Sequence, residues 1–154
     1  MPLVRVKTVA KAVQHLKAGR LVVYPTETAY ALGADATNQE AVNLIYQVKK
    51  RSRNKLLTII AADSAMVKKY LIMKPLAKRL VKIYWPGPLT LILPPKKKSA
   101  LKHLVKSGTG LGVRVSGNKI ARKLSHGLKS PIIATSANLS GRGNSYSLRA
   151  LKQN

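Results

Sequence analysis

The chain has 154 residues, 45% of them apolar, which suits one domain on one core, and it has no cysteine, which excludes disulfides and thiolate metal sites. Twenty-nine Lys and Arg stand against four acids (Glu27, Asp35, Glu40, Asp63), giving +25, and the last 91 residues (154 − 63) carry none of the four. A field of that sign draws polyanions, nucleic acid above all, over a range set by salt, although a lineage with lysine-rich proteins gives the same excess. No apolar run approaches the ~18 residues of a membrane span.

The elements alternate along the chain. Thr8 can cap a helix in which Val9, Val13 and Leu16 recur at helical spacing, and Gly19 can end it. Leu21–Tyr24 follows as a buried strand. The acid-free stretch from Met1 to Thr26 is therefore expected to be the domain's first helix and strand rather than a presequence. Pro25-Thr26-Glu27-Thr28 reads as a polar loop. Asn38 can cap a helix whose apolar face is Ala41, Leu44, Ile45 and Val48, and which ends at the Lys49–Arg53 cluster. Leu56–Ala62 is a continuous apolar strand. Ser64 starts a short helix through Leu71, and Pro75 opens another through Ile83. Trp85-Pro86-Gly87-Pro88 breaks that helix before a strand over Leu89–Leu93. Lys96-Lys97-Lys98 is a solvated loop. A strand over Leu111–Val115, a helix over Asn118–Leu128 and a last apolar strand over Pro131–Ala134 lead to the turn at Ser136-Ala137-Asn138. The alternation predicts an α/β domain with helices packed on a twisted sheet, whose central strands are buried on both faces.

Three constellations could carry chemistry, and each has a purely structural reading beside the functional one. Pro25–Gly33 runs from a strand into a bend with two hydroxyls and a carboxylate, at a kind of strand end where open α/β sheets bind ligands. Its Thr side chains could equally satisfy local backbone groups. Lys49, Arg51 and Lys55 could clamp phosphate or carboxylate, Arg as a bidentate fork and Lys as a point charge. They could also be a solvated helix end that complements the helix dipole. Ser136-Ala137-Asn138-Leu139-Ser140-Gly141 offers small hydrogen-bonding groups beside a glycine that permits close backbone approach. No phosphate-binding glycine loop and no metal-ligand cluster is readable, and His15, His103 and His126 fit surface or half-buried positions.

Read in order, these pieces resemble one family. Pro25-Thr-Glu-Thr28 with Gly33, Lys49-x-Arg51, Trp85-Pro-Gly-Pro88-Leu-Thr90, Gly112-Val-Arg114-Val and Ser136-Ala-Asn138-x-Ser-Gly141 are similar to the YrdC-like threonylcarbamoyl-AMP synthases of tRNA modification. The resemblance runs from about Val9 to Gly141. It implies a single-domain YrdC-like α/β fold over residues 1–154, a twisted mixed sheet with flanking helices around a positive concave cavity. It implies an enzyme, a nucleotidyltransferase that joins L-threonine, bicarbonate and ATP into threonylcarbamoyl-AMP with release of pyrophosphate. The product feeds the modification of adenosine 37 in tRNA.

By the family pattern, Lys49, Arg51 and Lys55 would face the phosphates and carboxylate. Thr28 and Arg114 would hold the threonine end, and Ser136 and Asn138 would line the nucleotide and intermediate site. No side-chain general base stands out. ATP is expected as substrate, with Mg²⁺ bound through its phosphates and no permanent cofactor. Expected partners are tRNA or double-stranded RNA and the proteins of the threonylcarbamoyl-transfer complex, in the cytoplasm and away from membranes.

The sequence departs from the pattern at Ser52, Ala29, Ala31 and Ser116; Ser116 stands where Pro is usual. Relatives are expected to continue past Gly141 for some tens of residues, so the C-terminal part of the family domain is expected to be missing. Two further readings stay open: a shortened YrdC-like RNA-binding module without full synthase activity, and a domain cut from a larger carbamoyltransferase-type protein.

Overall fold

The computed structural model describes residues 6–106, 108–138 and 143. Its elements are α1 (Val9–Lys17), β1 (Val22–Pro25), β2 (Tyr30–Gly33), α2 (Gln39–Val48), β3 (Thr58–Ile60), α3 (Ser64–Tyr70), α4 (Pro75–Tyr84), β4 (Leu91–Leu93), β5 (Leu111–Arg114), α5 (Lys119–Leu128) and β6 (Ile132–Ser136), with a 3₁₀ turn at Lys102–Leu104. The described strands form one mixed sheet in the order β1-β2-β6-β3-β5-β4. Only β3 and β5 pair in parallel, Ile60 opposite Arg114; the other pairs are antiparallel.

Local chemistry fixes the helix ends. Thr8, Asn38 and Asn118 accept from backbone N–H groups in the first turns of α1, α2 and α5, satisfying donors that a helix start leaves without partners. Asp63 does the same for α3, one residue ahead of the expected start at Ser64. Pro75 sits in the first turn of α4, where its missing N–H costs nothing. Gly19 closes α1 at φ +72, with Gly19 N–H and Arg20 N–H returning to Leu16 and His15 carbonyls. At the end of α2, Lys50 takes the same left-handed role at φ 48, with Lys50 N–H on Gln47 O and Arg51 N–H on Tyr46 O.

The middle of the sheet is buried on both sides, as its apolar runs predict. Ile60 and Ile132 point to one face and pack with Tyr24, Val22 and residues of α1 and α5. Ile59 and Ile133 point to the other and pack with Leu32, Val113 and residues of α2 and α3. Alternation by two along each strand delivers neighbouring isoleucines to opposite cores. Burying each such side chain contributes about 1.5–3 kcal/mol.

Three expectations need correction. The polar loop expected over Pro25–Thr28 is displaced by one residue, since Pro25 ends β1, and Tyr30–Gly33, given no element from the sequence, is a strand that pairs with both β1 and β6. The strand expected over Leu56–Ala62 is regular only at Thr58–Ile60. In α2, Leu44 and Val48 are 41% and 46% exposed, and the core-facing set is Ala41, Val42 and Ile45. Lys96, Lys97 and Lys98 are exposed, as expected of that loop. No helix among the described residues is long and apolar enough to cross a membrane.

Candidate functional site

The sequence-predicted residues gather in two groups. The first is built where α2 ends beside the end of β6. Lys49 continues the core-facing stripe of α2, since Val42, Ile45 and Lys49 recur at helical spacing, and its side chain is 2% exposed. Its Nζ donates to the carbonyl oxygens of Ser136 and Asn138 and to Asn138 Oδ1, 3.1 Å away. Burial, with Arg51 nearby, pulls the ammonium down to about 8. Ser136 closes β6 opposite Ala31, and its hydroxyl donates to Asn138 Oδ1. Asn138 Nδ2 donates to Gly143 O at 3.0 Å. Leu139 to Gly141, the rest of this motif, lie outside the described residues.

Arg51 is delivered by the left-handed turn at Lys50. Its guanidinium lies along its own loop, Nε donating to Lys55 O at 3.2 Å and Nη2 to Leu56 O at 3.0 Å. The Lys55 side chain is exposed beside it. Arg53 lies over the Tyr46 ring at 5.5 Å, and burial raises the Tyr46 phenol above its ordinary range against the opposing pull of Arg51 and Arg53. In this group Lys49 is a buried tie, whereas Arg51 and Lys55 stay at the surface.

The second group forms where the β1–β2 turn meets the end of β5. Thr26 fulfils the local reading of the turn: its hydroxyl accepts from Thr28 and Ala29 N–H and donates to Ala29 O. Thr28 Oγ1, 3.0 Å from Thr26 Oγ1, also takes Arg114 Nη2 at 3.4 Å. Arg114 Nη1 pairs with Glu27 Oε1 at 3.4 Å, and Ser116 Oγ donates to Glu27 Oε2. Beneath them, burial pushes the Tyr24 phenol far above its ordinary range, with Arg114 opposing and Glu27 adding to the shift. Tyr24 OH donates to Ile133 O at 2.9 Å, a buried bond between β1 and β6.

The Trp85–Thr90 segment supports this corner. It carries a cis bond between Trp85 and Pro86, Trp85 Nε1 donates to Leu89 O at 2.7 Å, and Gly87 N–H donates to Val115 O at 2.8 Å. A Cβ on Gly117 would lie 3.8 Å from Gly87 Cα and 3.9 Å from Glu27 Cβ, so three loops converge there.

The sequence reading grouped Thr28 with Arg114 and Ser136 with Asn138, as the structure does, but assigned Lys49 to the phosphates rather than to the Ser136–Asn138 turn it holds. It left Glu27 and Ser116 out of the site. The available signal was Glu27 itself, one of four acids among 29 cations and set inside the motif of the first turn. Among the described residues, no three His, Cys, Asp or Glu side chains come together to hold a metal. Two open grooves of ≈ 700 and ≈ 330 Å³ lie elsewhere, around Ile92 and Lys106 and around Ile72 and Lys78.

Residues 14–154 match the Sua5/YciO/YrdC family model, described as "Telomere recombination". A Methanocaldococcus jannaschii protein is 38% identical over 124 residues, covering 80% of this chain and 57% of its own length. The threonylcarbamoyl-AMP synthase of Photobacterium profundum is 35% identical over 134 residues, covering 85% of this chain and 72% of that one. The crystal structure of P. abyssi Sua5 complexed with L-threonine superposes with a TM-score of 0.86 at 33% identity, over 95% of this chain and 43% of that one. The chain is thus shorter than the relatives it matches, spanning 57% of the first of them. A family match over most of the chain, the shared mixed sheet and the ordered motifs agree: this chain belongs to the Sua5/YciO/YrdC family.

Proposed function

We propose that the chain forms threonylcarbamoyl-AMP and pyrophosphate from L-threonine, bicarbonate and ATP. The observation that carries the proposal is its likeness, over 95% of its length, to a protein crystallised with L-threonine. Likeness to a threonylcarbamoyl-AMP synthase over 85% of the chain supports it. In this reading Thr28 and Arg114 bind the threonine end, and a guanidinium suits a carboxylate because it donates two parallel N–H bonds. Arg51 and Lys55 meet the phosphates, Lys55 from an exposed side chain and Arg51 by giving up its bonds to the Lys55 and Leu56 carbonyls. Ser136 and Asn138 line the nucleotide site, and Lys49 holds their turn in shape. A positive concave cavity between the two groups belongs to the same reading.

The reaction brings two anions together: the threonylcarbamate carboxylate attacks the α-phosphorus, and the bond to pyrophosphate breaks. Fixed positive charge and alignment supply the catalysis, so no side-chain base is required. Mg²⁺ would enter on the phosphates of ATP, for which a site poor in carboxylates is suited. The surplus positive charge fits tRNA or double-stranded RNA, proteins of the transfer complex would consume the product, and the compartment is the cytoplasm.

The test is pyrophosphate release by the folded chain given ATP, bicarbonate and threonine. Release that depends on threonine is expected; none from well-folded protein rejects the activity.

A further inference from the structure

We infer that Ser116 and Glu27 are positioning residues that set the aim of Arg114 at the threonine end of the site. The inference rests on the reading above for the ligand and on geometry for the rest.

Ser116 is fully buried, at 0% exposure, in the loop between β5 and α5. Its hydroxyl accepts from Asn118 N–H at 3.1 Å and donates to Glu27 Oε2. Its carbonyl accepts from Arg122 Nη1, which ties the same residue to α5. Ser116 is therefore held from two sides and cannot follow Glu27 if the carboxylate swings away. Glu27 Oε1 lies 3.4 Å from Arg114 Nη1, while Arg114 Nη2 lies 3.4 Å from Thr28 Oγ1. The Arg114 and Glu27 side chains are only 15% and 19% exposed. One carboxylate thus bridges a buried hydroxyl and a guanidinium, and the guanidinium bridges that carboxylate and the Thr28 hydroxyl.

This arrangement has a clear effect on a ligand. One of four acids among 29 Lys and Arg has many possible partners, and a freely rotating Glu27 would sample several. The Ser116 hydroxyl removes that freedom. Guanidinium carries five N–H donors, so Arg114 keeps donors for an incoming carboxylate after contacting Glu27 and Thr28. A pre-aimed fork loses less freedom when it binds, which raises affinity for the group it faces. A proline at position 116 would bring no hydroxyl, so this contact depends on the serine of this chain.

The test measures threonine and ATP affinities by titration calorimetry on the chain, on Ser116→Ala, on Glu27→Gln and on the double variant. Ser116→Ala should weaken threonine binding about tenfold, the worth of one hydrogen bond to a charged group, and change ATP binding less than twofold. The double variant should bind threonine no worse than Glu27→Gln alone, because both changes act through one carboxylate. Equal loss for both ligands, additive losses, or unchanged threonine affinity would overturn the inference. Ser116→Thr, which keeps the hydroxyl, should recover most of the affinity; failure to do so while folded would count against it as well. A chain that binds threonine but releases no pyrophosphate would reject the proposed activity and leave the positioning role standing. A chain that binds no threonine would overturn both.

Discussion

Lys49 Nζ ties the end of α2 to the end of β6 by donating to the carbonyls of Ser136 and Asn138. A protonated amine has three donors, and the turn takes all three, counting Asn138 Oδ1. The charge that the sequence offers as a ligand contact is therefore spent on the shape of the neighbouring turn.

Burying Lys49 makes stability depend on pH. Lys49 has an ordinary value of 10.5 and is pulled down to about 8 by burial, then by Arg51. Between those two values the unfolded chain holds a proton that the folded chain has released, so stability rises with pH across the window. The penalty for burying the charge is fully present below about 8. The slope from this group reaches at most about 1.4 kcal/mol per pH unit. Urea titrations at pH 8 and 9.5 should show a steeper rise for the native chain than for Lys49→Met, which lacks the group. Parallel rises would reject the shift.

Gly33→Ala should destabilise the domain by about 2 kcal/mol, in the range of overpacking a filled core. The added Cβ would lie 2.5 Å from Tyr24 Cε1 and 2.9 Å from Ile133 O, and the second neighbour is backbone. Denaturant melts of the variant check this; a loss below 0.5 kcal/mol on the same scale would mean that Tyr24 can move aside.

Lys50→Gly should stabilise the chain by about 1 kcal/mol, because φ 48 costs a side chain what it does not cost glycine. For a domain of this size that is about 2–4 °C in Tm. A lower Tm would show that the lysine side chain outweighs its backbone strain.

Arg51→Ala should reduce pyrophosphate release by at least about 100-fold while leaving the fold intact, since a donor aimed at developing charge is worth that much. Among the described residues its bonds reach only Lys55 O and Leu56 O in the same loop, so circular dichroism and Tm should change little. An active variant would remove Arg51 from the site.

Much of this fold was legible because its signals are local. Thr8, Asn38 and Asn118 cap helices through bonds to residues two or three positions on, and their spacing in sequence states that directly. β2 was hidden because four residues containing Ala and Gly have little strand character of their own. What makes Tyr30–Gly33 a strand is pairing with β1 along all four residues and, at Ala31 and Leu32, with Ser136 and Thr135 of the distant β6. The face of α2 was misplaced for a related reason. Leu44 and Val48 are as apolar as Val42 and Ile45, and only the direction of the sheet decides which pair is buried. The site was legible as motifs and not as contacts. Lys49 and Asn138 meet across 89 residues, and Glu27 and Ser116 also across 89, distances at which no spacing rule operates.

β6 is the latest of the described strands to be synthesised, yet it lies in the middle of the sheet, between β2 and β3. Until it leaves the ribosome, the hairpin of β1 and β2 and the group of β3, β5 and β4 have no strand between them. Each waits with one edge unpaired. Assembly of this domain is thus a late event in translation, and the facing edges of β2 and β3 stay open to aggregation until β6 emerges.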